Sequence, residues 1–206
     1  MRWTNYFSKI LVINLRHRTD RLLQIYEEMD KMDINFELVT AIEHENGAEG
    51  LRQTLNNILQ RGIEEKWENV LIFEDDCEWV ENKDVVDRAM DGAIKEIPDN
   101  WHLLYLSAQV TCGFHYKHGN HLLQLDGAYS THSWAISKQG MKEIISQGLD
   151  APIDNCMVDK IQKMQNCYIT YPILTTQRAG ESDIGKTYIN WFPFLVTRYN
   201  TELSKL

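Results

Sequence analysis

Cysteine is scarce: Cys77, Cys112, Cys156 and Cys167 are the only four in 206 residues, with neither CxxC spacing nor the density of a disulfide framework. Reduced thiols in a reducing compartment fit them better than disulfides or a zinc knot. Prolines number 4 and glycines 11, and with 43% hydrophobic and 25% charged residues this excludes collagen-like repeats, coiled-coil rods and wholesale disorder. The longest apolar runs, Ile10 to Ile13 and Val70 to Phe73, fall far short of the ~20 residues of a membrane helix. The opening residues MRWTNY lead into a strand pattern with no apolar stretch or small-residue cleavage site, so a cytoplasmic protein is expected. No dense Lys/Arg run is present either. Thirty acidic against 21 basic side chains leave a net charge of −9, which repels a polyphosphate backbone and argues against nucleic acid as a partner. An anionic substrate would need a divalent cation to sit on such a chain.

What is present is an alternation of strand and helix patterns in a length that suits one domain, residues 1–206. Ile10 to Leu15 predicts a strand, followed by a polar turn and an amphipathic helix whose apolar face carries Leu22, Ile25, Met29 and Met32, with Thr19 or Asp20 as its cap. Further strands are expected at Phe36 to Ala41, Val70 to Phe73, Leu103 to Leu106, Tyr129 to Ser137 and Tyr168 to Ile173. Helices are expected at Gly50 to Ile63, around Val85 to Ile97, at Lys138 to Gln147 and at Asn155 to Gln165. Ala108 to Asn120 reads as a long polar loop, and residues 185–206 as an irregular C-terminal segment with a Trp-Phe-Pro-Phe cluster. The pattern predicts an α/β fold, a sheet between helices.

Glu74-Asp75-Asp76 directly follows the most apolar strand. Consecutive carboxylates at a buried strand end repel one another and are tolerated if solvated or bound to a cation. Strand alternation would point Glu74 and Asp76 to one side as hard oxygen ligands for Mg²⁺ or Mn²⁺, and Asp75 elsewhere. The crevice beyond the strand ends is also where α/β sheets bind ligands.

VINLRHRTDR near the start, VLIFEDD in the middle and the later HSWAIS together resemble the glycosyltransferase family 25 pattern, which includes lipopolysaccharide and collagen galactosyltransferases. The resemblance spans residues 10–184 and takes in GLRQTLNNIL, WHLLYLSA, PID at Pro152 to Asp154, PILTTQ at Pro172 to Gln177, and SDI at Ser182 to Ile184. It implies a GT-A-like nucleotide-diphospho-sugar fold with a mostly parallel mixed sheet, a UDP-sugar donor (typically galactose), a divalent metal (Mn²⁺ or Mg²⁺) and inversion at the anomeric carbon. By position, Glu74 and Asp76 match the outer members of the family's DxD-like motif. Asp76 is then the direct metal ligand, with Glu74 or Asp75 nearer the ribose or sugar. Asn14, Arg18 and Arg21 follow the first strand and could hydrogen-bond the nucleotide and its phosphates, or the arginines could be ordinary solvated helix-start charge.

Inverting transfer needs a base for the acceptor hydroxyl. Asp154 matches a PxD-like position of the family, with a helix N-cap as its alternative role; Asp159 is the reserve. The resemblance makes His132, in YSTHSWAIS, a candidate late metal ligand, with a histidine hydrogen-bonded in the core or exposed to solvent as its alternative. His115, His118 and His121 recur every three residues without carboxylate or Cys partners, a weak metal signal. Trp101, Trp134, Trp191 and Phe192 could stack on a sugar face or simply fill the core.

The resemblance implies a metal-dependent inverting hexosyltransferase acting on a surface-glycan or lipopolysaccharide-type acceptor. Peripheral work at the inner membrane face is conceivable, although no basic amphipathic helix is present to dock the chain. The sequence departs from the family at Gln53-Thr54, where many members have Ser-His, and this motivates a second reading as a catalytically silent nucleotide or glycan binder. A phosphoesterase is the third reading, and no second carboxylate cluster at two-metal spacing supports it.

Overall fold

The computed structural model describes residues 2–181, 187–190 and 192–206, without the side chains of 112, 115, 116, 181 and 189. A 3₁₀ turn, Trp3–Tyr6, precedes β1 (Lys9–Asn14), α1 (Thr19–Lys31), β2 (Glu37–Thr40), α2 (Gly47–Glu64) and β3 (Asn69–Glu74). Then follow β4 (Cys77–Trp79), α3 (Lys83–Glu96), β5 (Leu103–Tyr105), β6 (Gln109–Lys117), β7 (Leu122–Tyr129), β8 (Ser133–Ser137) and α4 (Lys138–Gln147). The four-residue α5 (Ile153–Cys156) runs on through a π turn, Met157–Ile161, and a 3₁₀ turn, Gln162–Met164. The chain closes with β9 (Cys167–Thr170), β10 (Thr175–Gln177), β11 (Gly180–Glu181), β12 (Tyr188–Ile189) and α6 (Phe192–Leu203).

Eight strands form one sheet in the order β2-β1-β3-β8-β5-β9-β7-β6. β8 and β7 run against the other six, so the sheet is mixed but largely parallel in direction. Its centre is apolar on both faces, as helix-covered parallel strands are. Period-two alternation divides each strand between two cores. Leu11 and Ile13 of β1 and Val70 and Ile72 of β3 face Leu55, Ile58 and Met141 of α2 and α4. Ile10, Val12, Leu71 and Phe73 face Ile25 and Met29 of α1 and Val86 and Met90 of α3. Each such side chain contributes roughly 1.5–3 kcal/mol by leaving water, and the polar strand ends project beyond this grip.

Several expectations need correction. Ala108 to Asn120 is not a long loop; most of it is β6, whose polar residues suit the sheet's edge. The expected strand from Tyr129 to Ser137 is two strands, β7 and β8, because the chain turns at Ser130, which has φ 80°, and inserts β8 between β3 and β5. The helix expected over Asn155 to Gln165 begins earlier and winds unevenly, ending with Gln165 in the left-handed region. The segment after 185 is not irregular throughout: α6 buries Leu195 and Tyr199 against the β6 side of the sheet. Neither Thr19 nor Asp20 caps α1, since the helix already includes both and Arg18 holds the cap position.

α2 begins with Asn46 Oδ1 accepting from the Ala48 N–H at 3.1 Å, which fixes where the β2–α2 connection ends. Gly50 lies buried in the first turns of this helix, directly under the Ile42 carbonyl, where a Cβ would collide with backbone. Gly50→Ala is expected to destabilise the fold by about 1–3 kcal/mol despite alanine's better helix propensity. A chemical-denaturation midpoint equal to wild type would contradict that packing.

Candidate active site

β1 and β3 are adjacent and parallel, with Ile13 opposite Glu74. Each chain therefore leaves the sheet at the same level, and Asn14 meets Asp75: its Nδ2 donates to Asp75 Oδ2 at 2.7 Å. Arg21, three residues into α1, donates from Nη1 to Asp75 Oδ1 at 3.0 Å and to Asp76 Oδ2 at 3.4 Å. These are shielded contacts, with side-chain exposures of 12% for Arg21, 10% for Asp75 and 15% for Asp76.

Strand alternation does not reach Asp76, because β3 ends at Glu74 and Asp75-Asp76 forms the turn into β4. Arg21 consequently spans Asp75 and Asp76, while Glu74 is bound separately. Thr131 Oγ1 donates to Glu74 Oε1 at 2.7 Å, and the Glu74 N–H donates to the His132 carbonyl at 2.9 Å. The Asp76 carbonyl accepts from the Arg178 N–H at 2.6 Å, but Asp76 Oδ1 is buried with no hydrogen-bond partner among the described residues. Burial raises the proton affinity of all three carboxyls, and repulsion from Asp76 adds to it at Glu74. Arg21 works against the rise at Asp75 and Asp76.

Above these carboxylates opens a cleft of about 560 Å³. Leu15, Ala41, Ile42 and Leu51 give it apolar walls; His17, Glu43, His44 and Glu45 stand on its polar side, and Gln177 reaches it from β10. His17 Nδ1 lies 3.1 Å from Glu43 Oε1, joining the loops after β1 and β2. Asn14, Arg21, Glu74, Asp75 and Asp76 all line this space.

The other predicted residues lie apart from the wall. Arg18 makes a two-pronged contact with Asp20, at 3.1 and 3.0 Å, and is absent from the cleft lining. His132 is fully buried, its Nε2 3.4 Å from Thr175 Oγ1, and burial pushes its pKa down to about 3, so the ring is neutral. Asp154 does not cap its own helix; its Oδ1 accepts from the Ser130 N–H at 3.0 Å, and burial lifts its pKa to about 6. Asp159, paired at 3.4 Å with Lys163, is at the surface. Among the described residues no three His, Cys, Asp or Glu side chains gather as a metal cage. His121 instead pairs with Glu96 at 3.0 Å, His118 packs beside Tyr168, and the His115 side chain lies outside the described residues.

Trp101 and Trp134 are core residues at 4% and 1% exposure, whereas Phe192 is exposed at the start of α6; Trp191 and Ser182 to Ile184 lie outside the described residues. At the position of the family's Ser-His, Gln53 binds Glu49, and Thr54 is buried, accepting from the Ile42 N–H at 2.9 Å and donating to the Gly50 carbonyl. Thr54 thus braces the cleft wall. Glu43 and His44 escaped the sequence reading, and His17 and Gln177 fell inside VINLRHRTDR and PILTTQ without being singled out; position near the strand ends was the signal.

Among solved structures the chain is similar to A197 from STIV, with TM-score 0.51 and 10% identity over 87% of this chain and 91% of that one. It is also similar to a Drosophila β-1,4-galactosyltransferase 7 mutant solved with manganese, UDP-Gal and xylobiose, with TM-score 0.47 and 13% identity over 89% and 71% of the two chains. A glycosyltransferase involved in glycosylation of the major capsid of PBCV-1 gives 0.45 and 12% over 79% and 92%. No protein-family model and no curated protein matches the chain. The fold is a mixed, largely parallel sheet flanked by helices, an architecture shared with A197. At these identities the likeness is one of architecture, and the roles of particular residues rest on the geometry above.

Asp154 carries a pH signature. A carboxyl raised from its ordinary 3.8 to about 6 lends the fold stability that is complete below pH 3.8 and is lost as pH rises through 6. Asp154→Asn keeps an oxygen for the Ser130 N–H but cannot ionise. It should melt above wild type at pH 7.5, by on the order of 1–3 kcal/mol, with the advantage shrinking at pH 4.5. An equal difference at both values would show that Asp154 ionises freely.

Proposed function

We propose that this chain is a metal-dependent inverting glycosyltransferase resembling family 25, moving a hexose, galactose first among candidates, from a UDP-sugar to a hydroxyl of a surface-glycan or lipopolysaccharide-type acceptor. The observation that carries the reading is Asp76 Oδ1, a buried carboxylate oxygen with no partner at hydrogen-bond distance among the described residues, although the Gln177 side chain and the Asp76 N–H partly offset its burial, beside a nucleotide-sized cleft at the strand ends. Such an oxygen needs a proton or a cation. Asp76, with Glu74 beside it, would hold the divalent ion, which would keep waters and phosphate oxygens in the rest of its shell. When bound, the ion supplies positive charge to the departing diphosphate.

The remaining work belongs to side chains. Asn14 and Arg21 hold Asp75 rigid at the cleft floor and present N–H groups where a nucleotide would enter. The apolar walls fit a base and exclude water from it. Asp154 would take the proton from the acceptor hydroxyl as that oxygen attacks, and a pKa of about 6 leaves it ionised at neutral pH yet basic enough to accept. A lipid-linked acceptor would bring the chain to a membrane surface, and no helix among the described residues is long and apolar enough to cross one.

With MnCl₂ present, UDP and UDP-galactose should raise the melting temperature of wild type and leave Asp76→Asn unmoved. Asp154→Asn should keep the shift and lose at least 100-fold in turnover, the usual scale of a missing general base. Binding without turnover in wild type would favour the catalytically silent reading; no shift with any nucleotide would overturn the donor site itself.

A further inference from the structure

Three residues between β7 and β8 touch both carboxylates of the proposed reaction. The Ser130 N–H donates to Asp154, the Thr131 hydroxyl to Glu74 Oε1, and the His132 carbonyl accepts from the Glu74 N–H, at 3.0, 2.7 and 2.9 Å. Ser130 holds φ 80°, a left-handed conformation unusual for a residue other than glycine. Strain of this kind persists where surroundings over-determine it, and it recurs at functional sites. Thr131 is 6% exposed, and among the described residues its hydroxyl makes no backbone hydrogen bond and has Glu74 as its one partner. The connector's backbone is already braced through Ser130 and His132, so the Thr131 hydroxyl serves Glu74 rather than the turn itself.

We propose that Thr131 is a positioning residue: its hydroxyl fixes one oxygen of Glu74 and leaves Oε2 for a cation-bound nucleotide diphosphate in the cleft. Because the preceding residue holds Asp154, one connector sets the donor and acceptor sides in register. This inference rests on the proposed donor site and extends it to a residue outside the acidic triplet.

The test is calorimetric titration of UDP into the full-length chain with MnCl₂, for wild type, Thr131→Val, Thr131→Ser and Glu74→Gln, each checked for a cooperative melt. Thr131→Val should weaken Mn²⁺-dependent UDP binding about tenfold, and Thr131→Ser, which restores the hydroxyl, should stay within about twofold. Combined with Glu74→Gln, the valine should cost less than about twofold, since its effect runs through that carboxylate. If Thr131→Val fails to melt cooperatively, Thr131→Ala takes its place against Thr131→Ser. A valine or alanine variant that binds like wild type, or a serine variant that loses as much, overturns the role of Thr131 while the donor site stands. Wild type that binds no UDP overturns both.

Discussion

Asp75 is the residue on which the geometry of the strand ends depends. Three consecutive carboxylates leave a strand whose every side chain up to Phe73 is buried, and in a medium of reduced dielectric they repel one another. Asn14 and Arg21 resolve the conflict at one point by holding both oxygens of Asp75. The two donors arrive for different reasons. Asn14 is there because β1 and β3 share a parallel register, and Arg21 because α1 starts close to the end of β1 and turns its first cation back over the sheet. Removing either partner would leave charge or amide buried without compensation, the costly half of any buried ion pair.

The second half of the chain closes the site from the other side. β4 follows the acidic turn at once and pairs with β10, matching Cys77 to Gln177. That register carries Gln177 to the cleft and sets the Arg178 N–H on the Asp76 carbonyl. Glu28 secures the arrangement from α1: buried at 1% exposure, it accepts from the Trp79 N–H at 3.1 Å and from Arg178 Nη2 at 2.8 Å. A single carboxylate thus ties α1, β4 and β10 together. Stability and site geometry are therefore the same contacts here, and a change at Glu28 would be felt at Asp76 through the backbone.

Much of this was legible in the sequence because it obeys local rules. Apolar runs of four residues bounded by polar turns gave β1 and β3, amphipathic spacing gave α1 to α4, and three acids after a buried strand marked the site floor. What was hidden is what only tertiary pairing decides. β6 looked like a loop because an edge strand has one neighbour and tolerates polar residues, and α6 was masked by an aromatic, proline-bearing start, its contact with β6 being made further along by Tyr199 on Phe114. Asp154 read equally as a helix cap or a base, and its actual donor, Ser130, lies 24 residues away. Thr54 looked like a missing catalytic pair, whereas its hydroxyl is occupied holding the cleft wall.

The charge balance of the cleft has a consequence for how a donor could enter. Arg21 is committed to Asp75 and Asp76, and Arg178 to Glu28, so neither guanidinium is idle beside the carboxylates. Glu43 and Glu45 add negative charge at the wall, where Glu43 lies within hydrogen-bond distance of His17. A free diphosphate would meet a field of its own sign, and a free cation would find only one or two protein oxygens. In the proposed reading neither ligand has a strong site alone, and each creates the other's. Reciprocal coupling follows, in which cation and nucleotide raise one another's affinity by the same factor. In that reading an acidic protein built this way would discriminate against nucleotides that arrive without metal, through the same Asp76 oxygen that has no hydrogen-bond partner among the described residues.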